Sequence, residues 1–351
     1  MLTIISFFGV LVVLVLAHEC GHFFTAKAFK VKVEEFGLGF PPRLFSFKRG
    51  ETRYSFNAIP AGGFVKMAGE EDPGIEGSLA GKGAGVRVVV LAAGSLMNFL
   101  LPILLFSVAL MVPHDAIDGT VVVGDVAPAS PAARAGLQAG DIIISIDGKP
   151  VRNIGDVQRD IQLNLGNKID ITYQRGDNTG AAVAITPRWQ PPEGEGAAGI
   201  MVTMSEYDIV SLSYPFWEAV PKGAVQSFET LVLFKNVIIG MIIGTVPALV
   251  AGPVGIAQMT GEVAKAGLSP LLEFAAFFSI NLAIINIFPL PALDGGRIAF
   301  VLVEWLRRGK RVSPRIERTI HLVGFALLLG ALLMFTYQDI MRIIVGESLL
   351  P

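Results

Sequence analysis

The sequence predicts a polytopic α-helical membrane protein: about four transmembrane helices, with a small α+β module inserted between the second and third. Three observations predict it. The 351 residues are 52% hydrophobic and only 17% charged, against about 25% charged in a soluble domain. The deficit is uneven, because four long runs are almost free of charge while the rest of the chain carries an ordinary load. Between the second and third runs, residues 117–190 switch to short β-branched runs, turn residues and normal charge.

The first run, residues 2–17 (LTIISFFGVLVVLVLA), continues through His22 to Ala26. At ~1.5 Å per residue it crosses a hydrocarbon core of ~30 Å. A cleaved signal peptide fits poorly, since no Lys or Arg precedes the run and no A-x-A site follows it. Cys20 is not a lipoprotein cysteine, because His18 and Glu19 stand where small residues are needed. The other runs cover about Val88–Val112, 271–290 and Ile320–Tyr337, and residues 231–252 form a fifth apolar stretch.

Basic residues orient the spans. Residues 27–87 carry ten Lys and Arg, and 305–318 carry six: Arg307, Arg308, Lys310, Arg311, Arg315 and Arg318. Basic loops stay in the cytoplasm. Four spans put both loops inside, and both termini and the inserted module outside. A crossing at 231–252 would put the two basic loops on opposite sides, so that stretch is read as an interfacial helix. The resulting plan is 1–112 for the first two spans, 113–190 for the module, 191–268 for a linker and interfacial helix, and 269–351 for the last two spans. Net charge is −2, which gives no basic footprint for nucleic acid. A single cysteine, Cys20, excludes an internal disulfide.

His18-Glu19-Cys20-Gly21-His22 reads H-E-x-x-H. Residues four apart share a helix face, so both imidazoles can bind one zinc, with Glu19 beside them as general base toward a metal-bound water. The pattern alone is weak, and in a soluble helix it is more often a polar helix end. Here it continues an apolar span, where such groups cost several kcal/mol unless paired or ligated. Cys20 points away from both histidines and is assigned no role. A third ligand is needed. His114 and His321 qualify on chemistry, but Asp294 is the better candidate. It follows the Pro289 and Pro291 breaks and precedes Gly295-Gly296, and broken backbone at membrane depth is tolerated only in protein or along a wet cavity. Depth agrees: His18 lies ~24 Å below the outer end of its span, and Asp294 lies near the inner end of its own.

H-E-x-x-H in the first span, N-x-x-P-x-P-x-L-D-G in the third and the inserted module together resemble the site-2 protease family, most of all its bacterial branch of sigma-regulating proteases. The resemblance covers nearly the whole chain. It implies an intramembrane zinc metalloprotease with His18, His22 and Asp294 as metal ligands and Glu19 as catalytic base. It implies substrate contacts at Asn286, Pro289, Pro291 and Asn281, whose bland reading is helix capping and chain breaking. Gly62 and Gly63, in the Gly-Gly-Phe-Val-Lys that follows residues 52–60, resemble the family's re-entrant β-hairpin, which can take an unwound substrate by strand addition. Gly94-Ser-Leu-Met-Asn98 resembles its second-span motif, where packing accounts for the residues equally well. The Gly-Leu-x-x-Gly-Asp-x-Ile run at 136–143 resembles protease PDZ domains. Well-studied relatives carry two such domains, and this chain has room for one, which captures a peptide or chain end or acts as a size filter. By resemblance the setting is the bacterial inner membrane. The substrates are single-span membrane proteins, such as trimmed anti-sigma factors or remnant signal peptides.

Two other functions compete. A PDZ-bearing scaffold with a structural zinc would need a closed four-ligand site. A cation transporter would need polar groups along both halves of its path, and the outer halves of these spans are nearly pure hydrocarbon.

Overall fold

The computed structural model describes residues 1–70, 72–176, 178–247 and 251–346. The chain forms two compact units. The first is built from helices α1 (Leu2–Ala28), α2 (Ala84–Met111), α6 (Pro253–Ala266), α7 (Leu268–Ile287), α8 (Asp294–Leu306) and α9 (Pro314–Val345), with strands β1 (Val33–Arg49) and β2 (Thr52–Met67). Helices α1 and α2 meet at small residues. A Cβ on Gly21 would lie 2.7 Å from the Ala93 carbonyl carbon, so only glycine allows this approach. Ala26, Val31, Val33, Val90, Leu91 and Val301 form a core beneath the hairpin, and Leu14, Leu105, Phe106 and Ala275 form another among the helices. The Ser279 hydroxyl donates to the Asn98 carbonyl at 2.8 Å and ties α7 to α2. The Asp339 carboxylate of α9 accepts the Gly252 and Gly255 amides, which satisfies free donors at the start of α6.

Both strands are long and bent. Residues 33–38 pair with 63–67 on one side and, from Glu35 to Leu38, with 53–56 on the other. Among the described residues the 63–67 segment is thus a sheet edge, paired on one side. The sequence suggests a strand over 52–59 and says little of its length, because alternation across the glycines is poor.

Five helices among the described residues are long and apolar enough to cross a membrane: α1, α2, α5 (Phe216–Ile242), α7 and α9. The sequence reading has four and makes the fifth stretch, 231–252, interfacial. Helix α5 instead begins at Phe216, because Glu218, Lys222, Gln226 and Glu229 interrupt the apolar run without interrupting the helix. Residues 248–250 of that stretch lie outside the described residues, as do 347–351.

The second unit carries a sheet in the order β7-β6-β4-β3-β8, with β5 paired to β4. Its elements are β3 (His114–Val126), α3 (Pro131–Ala135), β4 (Ile142–Ile146), β5 (Lys149–Pro150), α4 (Ile154–Leu163), β6 (Ile169–Arg175), β7 (Asn178–Ile185) and β8 (Ile200–Leu212). Capping fits the sequence. Ser130 and Asn153 accept the Ala133 and Asp156 amides at 3.0 Å, as N-caps do, and Gly136 closes α3 at φ 89°. Val121, Ile143, Ile146, Val157, Ile169 and Ile171 fill the core. The sheet runs past the boundary expected at residue 190: β8 falls in the supposed linker and pairs with β3 along its length. Its alternation breaks at Ser205–Asp208, which hides it from a pattern search.

Candidate metal centre

Helix α1 brings His18 and His22 onto one face, and the chain break after α7 brings Asp294 to them. His18 Nε2 lies 3.0 Å and His22 Nε2 3.1 Å from the same Asp294 oxygen, Oδ2, and the two nitrogens are 3.2 Å apart. These three residues are a group of side chains able to hold a metal ion.

The donors fit zinc. Ligand atoms of a tetrahedral zinc, with bonds of about 2.0–2.1 Å, stand about 3.3 Å apart, close to the observed spacings. The His22 Nδ1–H donates to the Val90 carbonyl at 2.8 Å, which leaves the Nε2 lone pair for a ligand. Two imidazole nitrogens and a carboxylate oxygen crowded together repel, and a divalent cation among them turns that repulsion into ligation. His22 is buried, and the side chains of His18 and Asp294 are largely so.

Two local features make the cluster possible. A Cβ on Gly94 would lie 2.6 Å from His18 Cε1 and 2.7 Å from His18 Nε2, and nearer still to His22 Nε2. Helix α2 can pass the imidazoles only there. On the other side, Leu293 is the N-cap of α8 and Asp294 opens its first turn, where an acid is favoured by the helix dipole. A Cβ on Gly295 would lie 2.5 Å from the Ile287 carbonyl carbon, so the glycine lets α8 start against the end of α7. The sequence reading does not foresee α8, because Gly-Gly masks its start.

A cavity of about 460 Å³ opens on the cluster. It is lined by His18, Glu19, His22, Phe40, Gly63, Phe64, Val65, Lys66, Met67, Glu70, Leu91, Ala292, Asp294 and Arg297. Glu19 therefore shares the space in front of the three donors, and Val65 lines the same cavity. Gly63 lines this cavity. Gly62 does not; it adopts φ 140° beside the Phe40 ring. Asn281, Asn286, Pro289 and Pro291 also lie off its wall. The Asn281 amide donates to Phe277 of its own helix, and Pro289 and Pro291 occupy the break that delivers Asp294.

His321 and His114 are not in the cluster. His321 Nδ1 accepts the Ala292 amide at 2.8 Å and holds the break in place, while His114 heads β3 in the second unit. Sequence reasoning missed Glu70 and Arg297, which form an ion pair at 2.8 Å in the cavity wall.

The model of peptidase family M50 matches residues 6–331. The chain belongs to peptidase family M50. It is an intramembrane zinc metalloprotease and a multi-pass membrane protein. Among its relatives, zinc metalloprotease RasP of Geobacillus kaustophilus is 30% identical, over 97% of this chain and 98% of its own. The regulator of sigma-W protease RasP of Bacillus subtilis is 28% identical over 97% and 99%. A Clostridium perfringens protein, whose name marks it as an inferred zinc metalloprotease, is 35% identical over 93% and 95%. Among solved structures, the PDZ domain of an SdrC-like protein from Listeria monocytogenes is 29% identical, covering 24% of this chain and 88% of its own, with a TM-score of 0.22.

Proposed function

We propose that this M50 protease binds zinc through His18, His22 and Asp294, and that Glu19 is the general base. The observation that carries this is the convergence of three donor atoms within 3.2 Å of one another, with a glutamate in the same cavity. When bound, zinc lowers the pKa of a bound water to about 7 and polarises a carbonyl. Glu19, in the same cavity, is placed to take a proton from an attacking water and to return it to the departing amine. The Val90 carbonyl fixes the His22 tautomer.

The substrates are single-span membrane proteins of the bacterial inner membrane, such as anti-sigma factors already cut outside, or remnant signal peptides. A helix shields its carbonyls, so the scissile segment must be extended. The edge at 63–67, with Gly62 and Gly63 at its head, is suited to hold it as an added strand, in a hairpin that re-enters the bilayer. Asn281, Asn286, Pro289 and Pro291 guide the segment outside the cavity wall described above. Helices α1, α2, α7 and α9 span, α5 lies at the interface, and the basic loops at 27–87 and 305–318 face the cytoplasm. The termini and the second unit face outward. That unit is a single PDZ-like module, bounded by β3 and β8, that binds a peptide or screens substrates by size.

The test is the Glu19→Gln variant in proteoliposomes with a single-span reporter. It should retain zinc and fold while cleavage falls at least a thousandfold. Undiminished cleavage overturns the assignment.

A further inference from the structure

The cavity has a second polar end. Arg297 lies one turn of α8 beyond Asp294, and its Nη1 donates to Oε2 of Glu70 at 2.8 Å. Glu70 stands three residues past the end of β2, and its Oε1 accepts the Met67 amide at 3.1 Å. One carboxylate is therefore tied to the end of the edge segment by one oxygen and to the Asp294 helix by the other. Every residue from Gly63 to Met67 lines the cavity, and so do Asp294 and Arg297. The space between this edge and the first turn of α8 is a slot within that cavity.

We propose that the Glu70–Arg297 ion pair is a latch that sets the width of this slot and so the affinity for the substrate backbone entering it. The proposal rests on the reading of the cavity as the proteolytic site. Both residues are positioning residues: they act through the edge segment and through α8. The Glu70 side chain is 25% exposed and that of Arg297 45%. Such a half-exposed pair changes an equilibrium constant by no more than about fivefold, so the latch holds the slot and still opens. The contact is a single charge-assisted hydrogen bond from Nη1, which a lysine ammonium can also supply.

The test uses the full chain in proteoliposomes. Binding of a fluorescent single-span substrate is titrated in a Glu19→Gln background, so that affinity is read without turnover. Glu70→Gln and Arg297→Gln should each weaken binding about three- to fivefold. The double variant should be no weaker than either single one, since both remove the same contact. Arg297→Lys should recover most of the loss, and zinc stoichiometry should not change. With Glu19 intact, KM should rise by the same factor and kcat stay within about twofold. Unchanged affinity, losses that multiply in the double variant, or affinity lost together with zinc would each overturn the latch. Continued cleavage by the Glu19→Gln protein would instead sink the reading of the site and leave the affinity comparison standing.

Discussion

Around the two imidazoles there is no room for one extra methyl group. Gly94→Ala forces α2 away from His18 and His22 or turns the rings out of register. Its zinc affinity should fall by about tenfold or more, as for lost support of a metal ligand, measured by chelator competition, with the helical circular dichroism kept. Zinc binding equal to wild type would contradict the packing. That His18, His22 and Asp294 gather in one place was readable because H-E-x-x-H and a lone acid in a Pro- and Gly-broken apolar stretch are too costly in a membrane to persist without a ligand or a partner. Which residues support them was not. Nothing in the spacing says that the Val90 carbonyl accepts a hydrogen bond from His22, that His321 holds Ala292, or that Glu70 meets Arg297, 227 positions away. Those contacts follow from how the helices cross, and a single sequence carries no record of that.

The sheet of the second unit turns on one ion pair. Arg175 donates from Nε and Nη2 to the buried Asp141 carboxylate at 2.6 and 2.7 Å, joining the start of β4 to the end of β6. Burial pushes the Asp141 carboxyl up, but the Arg175 hydrogen bonds, the Gln138 amide and the Arg175 charge outweigh it and hold it below the usual carboxylate range. A depressed carboxyl stabilises the fold above its unfolded value of about 3.9, and that stability is lost as pH falls through the lower folded value. Arg175→Met should lower stability at neutral pH, because it leaves the buried Asp141 carboxylate without its partner. The difference from wild type should shrink below about pH 4. Hydrogen exchange of the β4 and β6 amides, corrected for intrinsic rate, measures it, and a difference that persists unchanged at low pH would contradict the pairing. Elements with strong periodicity or clear caps, such as α1, β4 and α4, were legible. Helix α8, β8 and the first half of α5 were not, because Gly-Gly, broken alternation and interspersed charges blur their patterns while tertiary pairing still selects them.

The count of crossings is a property of the entire chain, and charge placement argues it better than hydropathy does. With Cys20 replaced by Ser, single cysteines at positions 50 and 309 should react only with reagent on the cytoplasmic side, and one at 148 only from outside. Labelling of 50 and 309 from opposite faces would make α5 a fifth crossing.

Helix α9 has 32 residues, and of these only Gly324 and Asp339 are buried. Gly324 abuts Pro291, and Asp339 grips the start of α6. At about 48 Å it is longer than the roughly 30 Å hydrocarbon layer, but its apolar middle at 320–337 is only about 27 Å, so a change in lipid thickness makes it lean or shift. Its fulcrum then touches the very turn that delivers Asp294. Cleavage should therefore vary with lipid chain length, fastest at one thickness and slower in thinner or thicker vesicles, which a series of defined phosphatidylcholines would measure. Through this one lightly moored rod, the thickness of the surrounding lipid becomes a control on the enzyme.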